Sequence, residues 1–229
     1  MDIIKNFKDL SKFETVLWIV SLFVVTCSFM LVPDKDYLPL SASLIGVTAL
    51  IFVSKGYVLG QVLTVVFAVF YGIISFFFTY YGEMITYLFM TSPMAIMADI
   101  EWHKNPYKKT KEVKIKKVKK NQIKQMIILT IFVTIIFYFI LKAMGNANLL
   151  FSTISITTSF VASYLTFYRS PYYAIGYAAN DLVLIVLWVL AAIENISYFP
   201  MIVCFIMFFV NDIYGFLNWR RMEKRQNKE

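Results

Sequence analysis

The sequence predicts an all-α polytopic membrane protein of eight transmembrane helices. Three observations carry that prediction. Of 229 residues, 59% are hydrophobic and only 16% charged, where a soluble domain averages ~25% charged. Mean hydropathy is +0.67, and apolar runs of ~20 residues, the length needed to cross a bilayer, recur along the chain. The basic residues gather between those runs instead of covering a surface.

Residues 1–14 form a short charged lead with Asp2, Lys5, Lys8, Asp9, Lys12 and Glu14. The first apolar run, 15–32, ends at Met30-Leu31-Val32-Pro33-Asp34, which offers no small-residue cleavage site, so it reads as a retained helix. Runs at 38–54, 57–80 and 84–101 follow, divided by the turn signals Ser54-Lys55-Gly56 and Tyr81-Gly82-Glu83. The next stretch carries ten lysines between Lys104 and Lys124. Beyond it lie runs at 126–144, 149–168, 172–193 and 198–218, separated by Gly145-Asn146 and Arg169-Ser170-Pro171, and then a basic tail.

Placing the lysine loop in the cytoplasm fixes the side of every other connection. Of the 22 basic residues only Lys35 and Lys142 then fall outside, where Asp34, Asp36, Glu83 and Glu194 also gather. Both termini are cytoplasmic in this reading, and the lysines write topology. Attraction to anionic headgroups of the lipid bilayer is compatible with them. Nucleic acid is not an expected partner, because no aromatic residues interleave the charge. Cys27 and Cys204 stand singly in apolar runs and read as small buried residues.

A weak internal duplication is visible. Tyr57 and Gly60 share their spacing with Tyr173 and Gly176, and Glu101-Trp102-His103-Lys104 echoes Asn218-Trp219-Arg220-Arg221. Four helices separate the units, so both cross in the same direction. The predicted architecture is 1 + 3 + 1 + 3: lead and extra helix 1–37, first three-helix bundle 38–102, basic loop 103–125, linker helix 126–148, second bundle 149–219 and tail 220–229.

Ionisable groups at membrane depth are functional candidates, because burying them is costly. Asn180-Asp181 and Asn211-Asp212 lie at similar distances from the cytoplasmic ends of the last two helices, which places both pairs in one layer. Tyr173, Tyr177, Asn180 and Trp188 recur at helical spacing, as do Asn211 and Asn218, so aromatic and hydrogen-bonding groups share faces. The first repeat offers Gln61 and Thr64 on its second helix, and Tyr87, Thr91 and Ser92 before Pro93 on its third. Pro93 is expected to kink that helix at the level of the carboxylates. Trp102 and Trp219 read as interfacial anchors. The chain has one histidine, no phosphate-cradling glycine loop and no nucleophile–base set, so neither an enzyme nor a metal or cofactor site is expected.

The stretches Gly46 to Trp102 and Tyr168 to Arg221, notably RSPYYAIGYAANDLVLIVLWVLA and NDIYGFLNWRRM, resemble the PnuC family of bacterial vitamin transporters. The resemblance implies a fold similar to the SWEET sugar transporters and a location in the bacterial cytoplasmic membrane. It implies nicotinamide riboside as substrate, moved by facilitated diffusion, with net uptake drawn by a cytoplasmic nucleoside kinase. Where characterised members carry Trp-x-x-Trp-x-x-x-Asn, this sequence has Tyr173, Gly176 and Asn180, leaving Tyr177 or Trp188 to supply the second aromatic; the family's frequent helix-four glutamine has no counterpart near Thr86 and Tyr87. Relatives of the family carry thiamine or riboflavin. Nicotinamide riboside and thiamine both have a permanent cationic ring, which Asp181 or Asp212 would offset and the tyrosines or Trp188 would hold by cation–π contact. Asn180, Asn211 and Asn218 suit hydroxyls and a carboxamide. The sequence leaves room for a homo-oligomer, for proton coupling through Asp181 or Asp212, and for a membrane scaffold or sensor whose basic loop recruits a cytoplasmic partner.

Overall fold

A computed structural model describes residues 3–33, 37–77, 80–146 and 148–228. Asp34, Lys35 and Asp36, expected on the outer side, lie outside the described residues. The chain opens with a short helix α1 (Ile3–Lys8), followed by α2 (Lys12–Leu31), α3 (Tyr37–Ser54) and α4 (Val58–Phe77). A continuous helical run follows, made of α5 (Tyr81–Ile85), a π-helical turn (Thr86–Thr91) and α6 (Ser92–Lys104). Then come α7 (Lys120–Ala143), α8 (Leu149–Phe167), α9 (Tyr173–Glu194), a 3-10 turn (Ile196–Tyr198) and α10 (Phe199–Gln226). Among the described residues, seven helical segments are long and apolar enough to cross a membrane. The run from Tyr81 to Lys104 is divided by its π turn instead of being one uniform helix.

The charged lead is more ordered than a leader needs to be. Ser11 caps α2 by accepting from the Glu14 amide at 3.3 Å, and Glu14 returns the bond to the Ser11 N–H at 2.7 Å. This capping box satisfies two otherwise orphaned donors. Glu14 is itself buried, paired with Lys55 at 2.9 Å and accepting from the Tyr214 hydroxyl at 2.9 Å. One carboxylate thus ties α2, the α3–α4 turn and α10 together. Phe7 of α1 packs on Trp18 and Phe52, which anchors the lead to the bundle.

Helices α3, α4 and α5–α6 pack in sequence, as do α8, α9 and α10. Across the middle, α3 lies against α10 and α6 against α8. Helix α2 packs on α3 and α10, and α7 packs on α8. Within each group the second helix approaches the first through a glycine: a Cβ on Gly60 would meet the Val53 nitrogen at 2.4 Å, and one on Gly176 the Ala162 Cα at 2.9 Å. Outward faces carry large exposed apolar side chains such as Phe23, Phe76, Phe89, Phe132, Phe139 and Ile193, as a lipid-facing surface requires. Helix α7 has one buried residue, Leu141. Cys27 also faces outward, not into the core, while Cys204 is buried.

The ends of α3 and α8 share one cap. Gly56 (φ +68) and Arg169 (φ +57) are both left-handed. Gly56 donates to Val53 O at 2.8 Å and Tyr57 to Phe52 O at 3.0 Å; Arg169 donates to Thr166 O at 2.9 Å and Ser170 to Leu165 O at 3.0 Å. These are the paired bonds of a Schellman ending. Arg169 lacks the freedom of glycine, but its guanidinium, only 6% exposed, is held by Glu101 at 3.2 Å.

The lysine-rich loop is a strap. Val113 donates to the Gly56 carbonyl at 2.9 Å and Lys116 to the Arg169 carbonyl at 3.1 Å, so the loop spans both caps. Gln226 clasps it from α10, accepting from the Ile115 N–H at 2.8 Å and donating to the Val113 carbonyl at 3.1 Å. Glu112 pairs with Arg225, and Lys111 with Asp9 at 2.6 Å. Burial between these partners pushes the Tyr57 hydroxyl up to about 12, reinforced by the Asp9 and Glu112 carboxylates.

Candidate functional site

A cavity of about 60 Å³ lies where the two helix groups meet. It is the size of a few waters, far below the ~300 Å³ at which small-molecule pockets begin. Gln61 and Thr64 face it from α4, Tyr87 and Thr91 from the π turn, Tyr177, Asn180 and Asp181 from α9, and Asp212 from α10. Phe67 and Phe208 supply apolar walls.

Asp181 and Asp212 are 4% and 3% exposed, and their carboxyl groups interact side chain to side chain. Oxygen Oδ2 of Asp181 has no hydrogen-bond partner. Among the described residues no lysine or arginine lines the cavity. The Asn180 Oδ1 accepts from Ser155 Oγ at 3.2 Å and Thr158 Oγ1 at 2.9 Å, both on α8, which leaves its amide NH₂ as the group for the cavity. Tyr177 is set by a hydroxyl contact of 3.1 Å with Ser163. The polar layer therefore combines two carboxyl groups, one oriented amide and aromatic faces.

The π turn places Tyr87 and Thr91 here. Pro93 has no N–H to donate, and the backbone widens just before it, with the Ser92 N–H reaching the Tyr87 carbonyl. Pro93 itself points away from the protein, so the expected kink takes the form of a π segment whose inward residues line the cavity.

Four of the sequence candidates stand elsewhere. Asn211 neighbours Asp212 but points from another side of the helix, donating to Ser21 Oγ at 3.0 Å and to the Met207 carbonyl at 2.7 Å. Asn218 donates to the Ser54 carbonyl at 2.9 Å, bracing α10 against the end of α3. Tyr173 is buried against Trp219, ring centroids 4.8 Å apart, on the lysine-loop side. Trp188 lies at the opposite end of α9, donating to the Tyr71 hydroxyl at 2.9 Å amid Tyr80 and Tyr198. Aromatic clusters thus stand on either side of the cavity.

Trp102 and Trp219 are not interfacial anchors. They are 1% and 0% exposed, and each spends its N–H on a backbone carbonyl: Trp219 on Val53 at 2.9 Å, Trp102 on Thr166 at 3.0 Å. Those carbonyls sit in the last turns of α3 and α8, where helical acceptors lack intrahelical donors. Phe67 and Phe208 were not singled out by sequence. Their signal was phase: Phe67 lies three residues after Thr64 and Phe208 four before Asp212, each on its neighbour's helix face.

Residues 36–221 match the family described as nicotinamide mononucleotide transporter. A nicotinamide riboside transporter, PnuC, of Neisseria mucosa is 25% identical over 221 residues, covering 94% of this chain and 83% of that one. Its namesake in Haemophilus influenzae is 22% identical over 215 residues, covering 93% and 92%. The crystal structure of the vitamin B3 transporter PnuC superposes with a TM-score of 0.82 at 24% identity, covering 95% of this chain and 94% of that one, and so shares the fold. By the span of the family match, the chain belongs to this family of membrane transporters, the PnuC family its sequence resembles.

Proposed function

We propose that this chain takes up nicotinamide riboside, whose permanent cationic ring is received by the Asp181 and Asp212 pair. The observation that carries the reading is that pair: two interacting carboxyls, buried in a central cavity that no lysine or arginine among the described residues lines. In a low-dielectric site a bound cation offsets both. Tyr177 and Tyr87 offer ring faces, and the Asn180 amide, Gln61 and Thr64 suit a carboxamide and ribose hydroxyls. The same composition disfavours the mononucleotide, whose phosphate would meet carboxylates and no lysine or arginine.

The cavity is too small for a nucleoside, so loading requires the helix groups to part. We read Tyr81–Lys104 as the eighth span and the architecture as 1 + 3 + 1 + 3, with bundles 38–102 and 149–219, extra helix within 1–37, loop 103–125, linker 126–148 and tail 220–229. The reciprocal packing of α3 on α10 and α6 on α8, and the matching caps of α3 and α8, support that reading. The bundles rock about the carboxylate layer by facilitated diffusion, with the lysine loop and both termini in the cytoplasm of a bacterial cell and a nucleoside kinase trapping the product.

Uptake of labelled nicotinamide riboside into a strain lacking its own carrier tests the function; no uptake sinks it. Thiamine shares the cationic ring and is the second reading. A thermal-shift comparison of the purified chain with nicotinamide riboside, thiamine, riboflavin and the mononucleotide separates them, because only a ligand that binds the folded state raises Tm.

A further inference from the structure

Glu83 reads from sequence as an outer-surface charge. In the structure it is 3% exposed at the start of α5, and neither carboxyl oxygen has a hydrogen-bond partner. The Ser155 hydroxyl of α8 lies beside it, but its hydrogen bond is made to Asn180 Oδ1 at 3.2 Å. The first turn of α5 cannot swing it out to water freely. Gly82 donates to Asn146 Oδ1 at 2.9 Å, and Asn146 in turn donates to Ser152 Oγ at 2.8 Å. No lysine, arginine or histidine pairs with Glu83 among the described residues.

A glutamine would fill the same space at lower desolvation cost, so stability gives no reason for a carboxylate here. Its surroundings give one. Tyr71, Tyr80 and Tyr87 lie within electrostatic range of it. Tyr87, one helical turn from Glu83, lines the cavity, and Ser155, beside Glu83, bonds the cavity residue Asn180. An unpaired carboxylate among tyrosine rings has the composition of a cation site. It stands at the end of the α5–α6 run opposite the lysine loop, four residues and so about one helical turn before Tyr87 of the cavity.

We propose that Glu83 is a second station for the substrate's positive charge, occupied on the way between the outer aromatic cluster and the Asp181 and Asp212 pair. The proposal rests on the cationic-vitamin reading. A cation leaving water meets a counter-charge before it reaches the central pair, so it is never unpaired in the low-dielectric part of the path.

The test compares nicotinamide riboside with its uncharged 1,4-dihydro form, which has nearly the same shape, in proteoliposomes holding the full chain. Glu83→Gln is expected to raise KM for the cation about tenfold with Vmax within about threefold, and to leave the dihydro form unaffected. Glu83→Asp, which keeps the charge, is expected to stay within about threefold of wild type for both. Unchanged cation kinetics in Glu83→Gln, or equal losses for charged and uncharged forms, would overturn the station while leaving the cationic reading standing. Should Glu83→Gln fail to accumulate, Glu83→Asp decides alone: equal impairment of both forms assigns Glu83 to structure. A wild-type chain that moves neither nicotinamide riboside nor thiamine overturns the reading and the station together.

Discussion

The indole rings of Trp102 and Trp219 lie against each other at 5.3 Å, and each donates its N–H to the first helix of the opposite group. The acceptors are equivalent. Val53 precedes the left-handed cap Gly56 by three residues, and Thr166 precedes the left-handed cap Arg169 by three. Each carbonyl takes one bond from its own cap and one from a tryptophan of the other bundle. Trp219→Phe or Trp102→Phe keeps the ring and removes the donor, leaving a buried carbonyl one bond short. Each should cost about 1–2 kcal/mol. Thermal unfolding in detergent reads this as a lower Tm, and the double variant should cost less than the sum because the rings touch. Full additivity would deny that the two act as one brace.

That brace explains what could and could not be read from sequence. Seven apolar spans, the lysine loop and the shared level of Asp181 and Asp212 were legible because each is a one-dimensional signal: an apolar run, a charge cluster, a charged group where none is cheap. The interior of the Trp pair was not. An indole beside arginine or lysine looks the same whether it faces lipid headgroups or a helix end that needs donors. Asn211 and Asp212 were equally ambiguous, since adjacent residues point about 100° apart on a helix and only the neighbours decide which one meets the cavity. Ser11-x-x-Glu14 was readable as a capping box, but its second role as counter-charge to Lys55 depends on a contact 41 residues away. Glu83 sits beside a turn signal, and turns usually mean water; burial against α8 reversed that.

Gly60 and Gly145 should respond differently to alanine. At Gly60 a Cβ meets the Val53 backbone at 2.4 Å, so α3 and α4 must separate. About 1–3 kcal/mol of destabilisation is expected from such overpacking. At Gly145 nothing lies within 4 Å, and the cost is that of φ +65 alone. That is about 1–2 kcal/mol. Transport separates them further: Gly60→Ala should slow it by disturbing the helix that carries Gln61 and Thr64, while Gly145→Ala leaves it intact.

The strap should come loose without its clasp. Gln226→Ala removes both bonds that hold Val113 and Ile115 to α10. A loss of about 1–2 kcal/mol raises the undocked population about 5- to 30-fold. Trypsin reads it directly, since the strap is rich in lysine: cleavage between Lys104 and Lys120 should accelerate by that factor while the helical core persists. An unchanged cleavage rate would mean that Val113 to Gly56 and Lys116 to Arg169 suffice to hold the loop.

Glu14 and Lys55 form a buried pair whose members should be costly to remove singly and tolerable to remove together. Their side chains are 4% and 14% exposed, and Tyr214 adds a third contact to the carboxylate. Lys55→Met leaves that carboxylate without its counter-charge and should cost about 3 kcal/mol or more. Adding Glu14→Gln should recover much of it, because the uncharged amide needs no counter-charge and its one oxygen still accepts from either Tyr214 or the Ser11 N–H. Recovery of Tm in the double variant checks this; a double variant less stable than Lys55→Met would place the value of Glu14 in the cap instead.

Asp181 and Asp212 should show opposite effects on stability and on binding. Two interacting carboxyls buried without a cation are unfavourable for the empty protein, from both desolvation and mutual repulsion. Asp181→Asn or Asp212→Asn relieves that, so the empty variant should melt no lower than wild type. The same change removes half of the counter-charge for a cationic ring, and affinity for nicotinamide riboside should fall about 10- to 100-fold, or about 1.4–2.8 kcal/mol. The ligand-induced rise in Tm should therefore shrink while the baseline holds or climbs. Trading stability for a site is the expected cost of a preorganised charge. A variant that keeps the full ligand-induced rise would show that the carboxylates do not hold the cation, and would return the recognition to Tyr177, Asn180 and the polar face of α4.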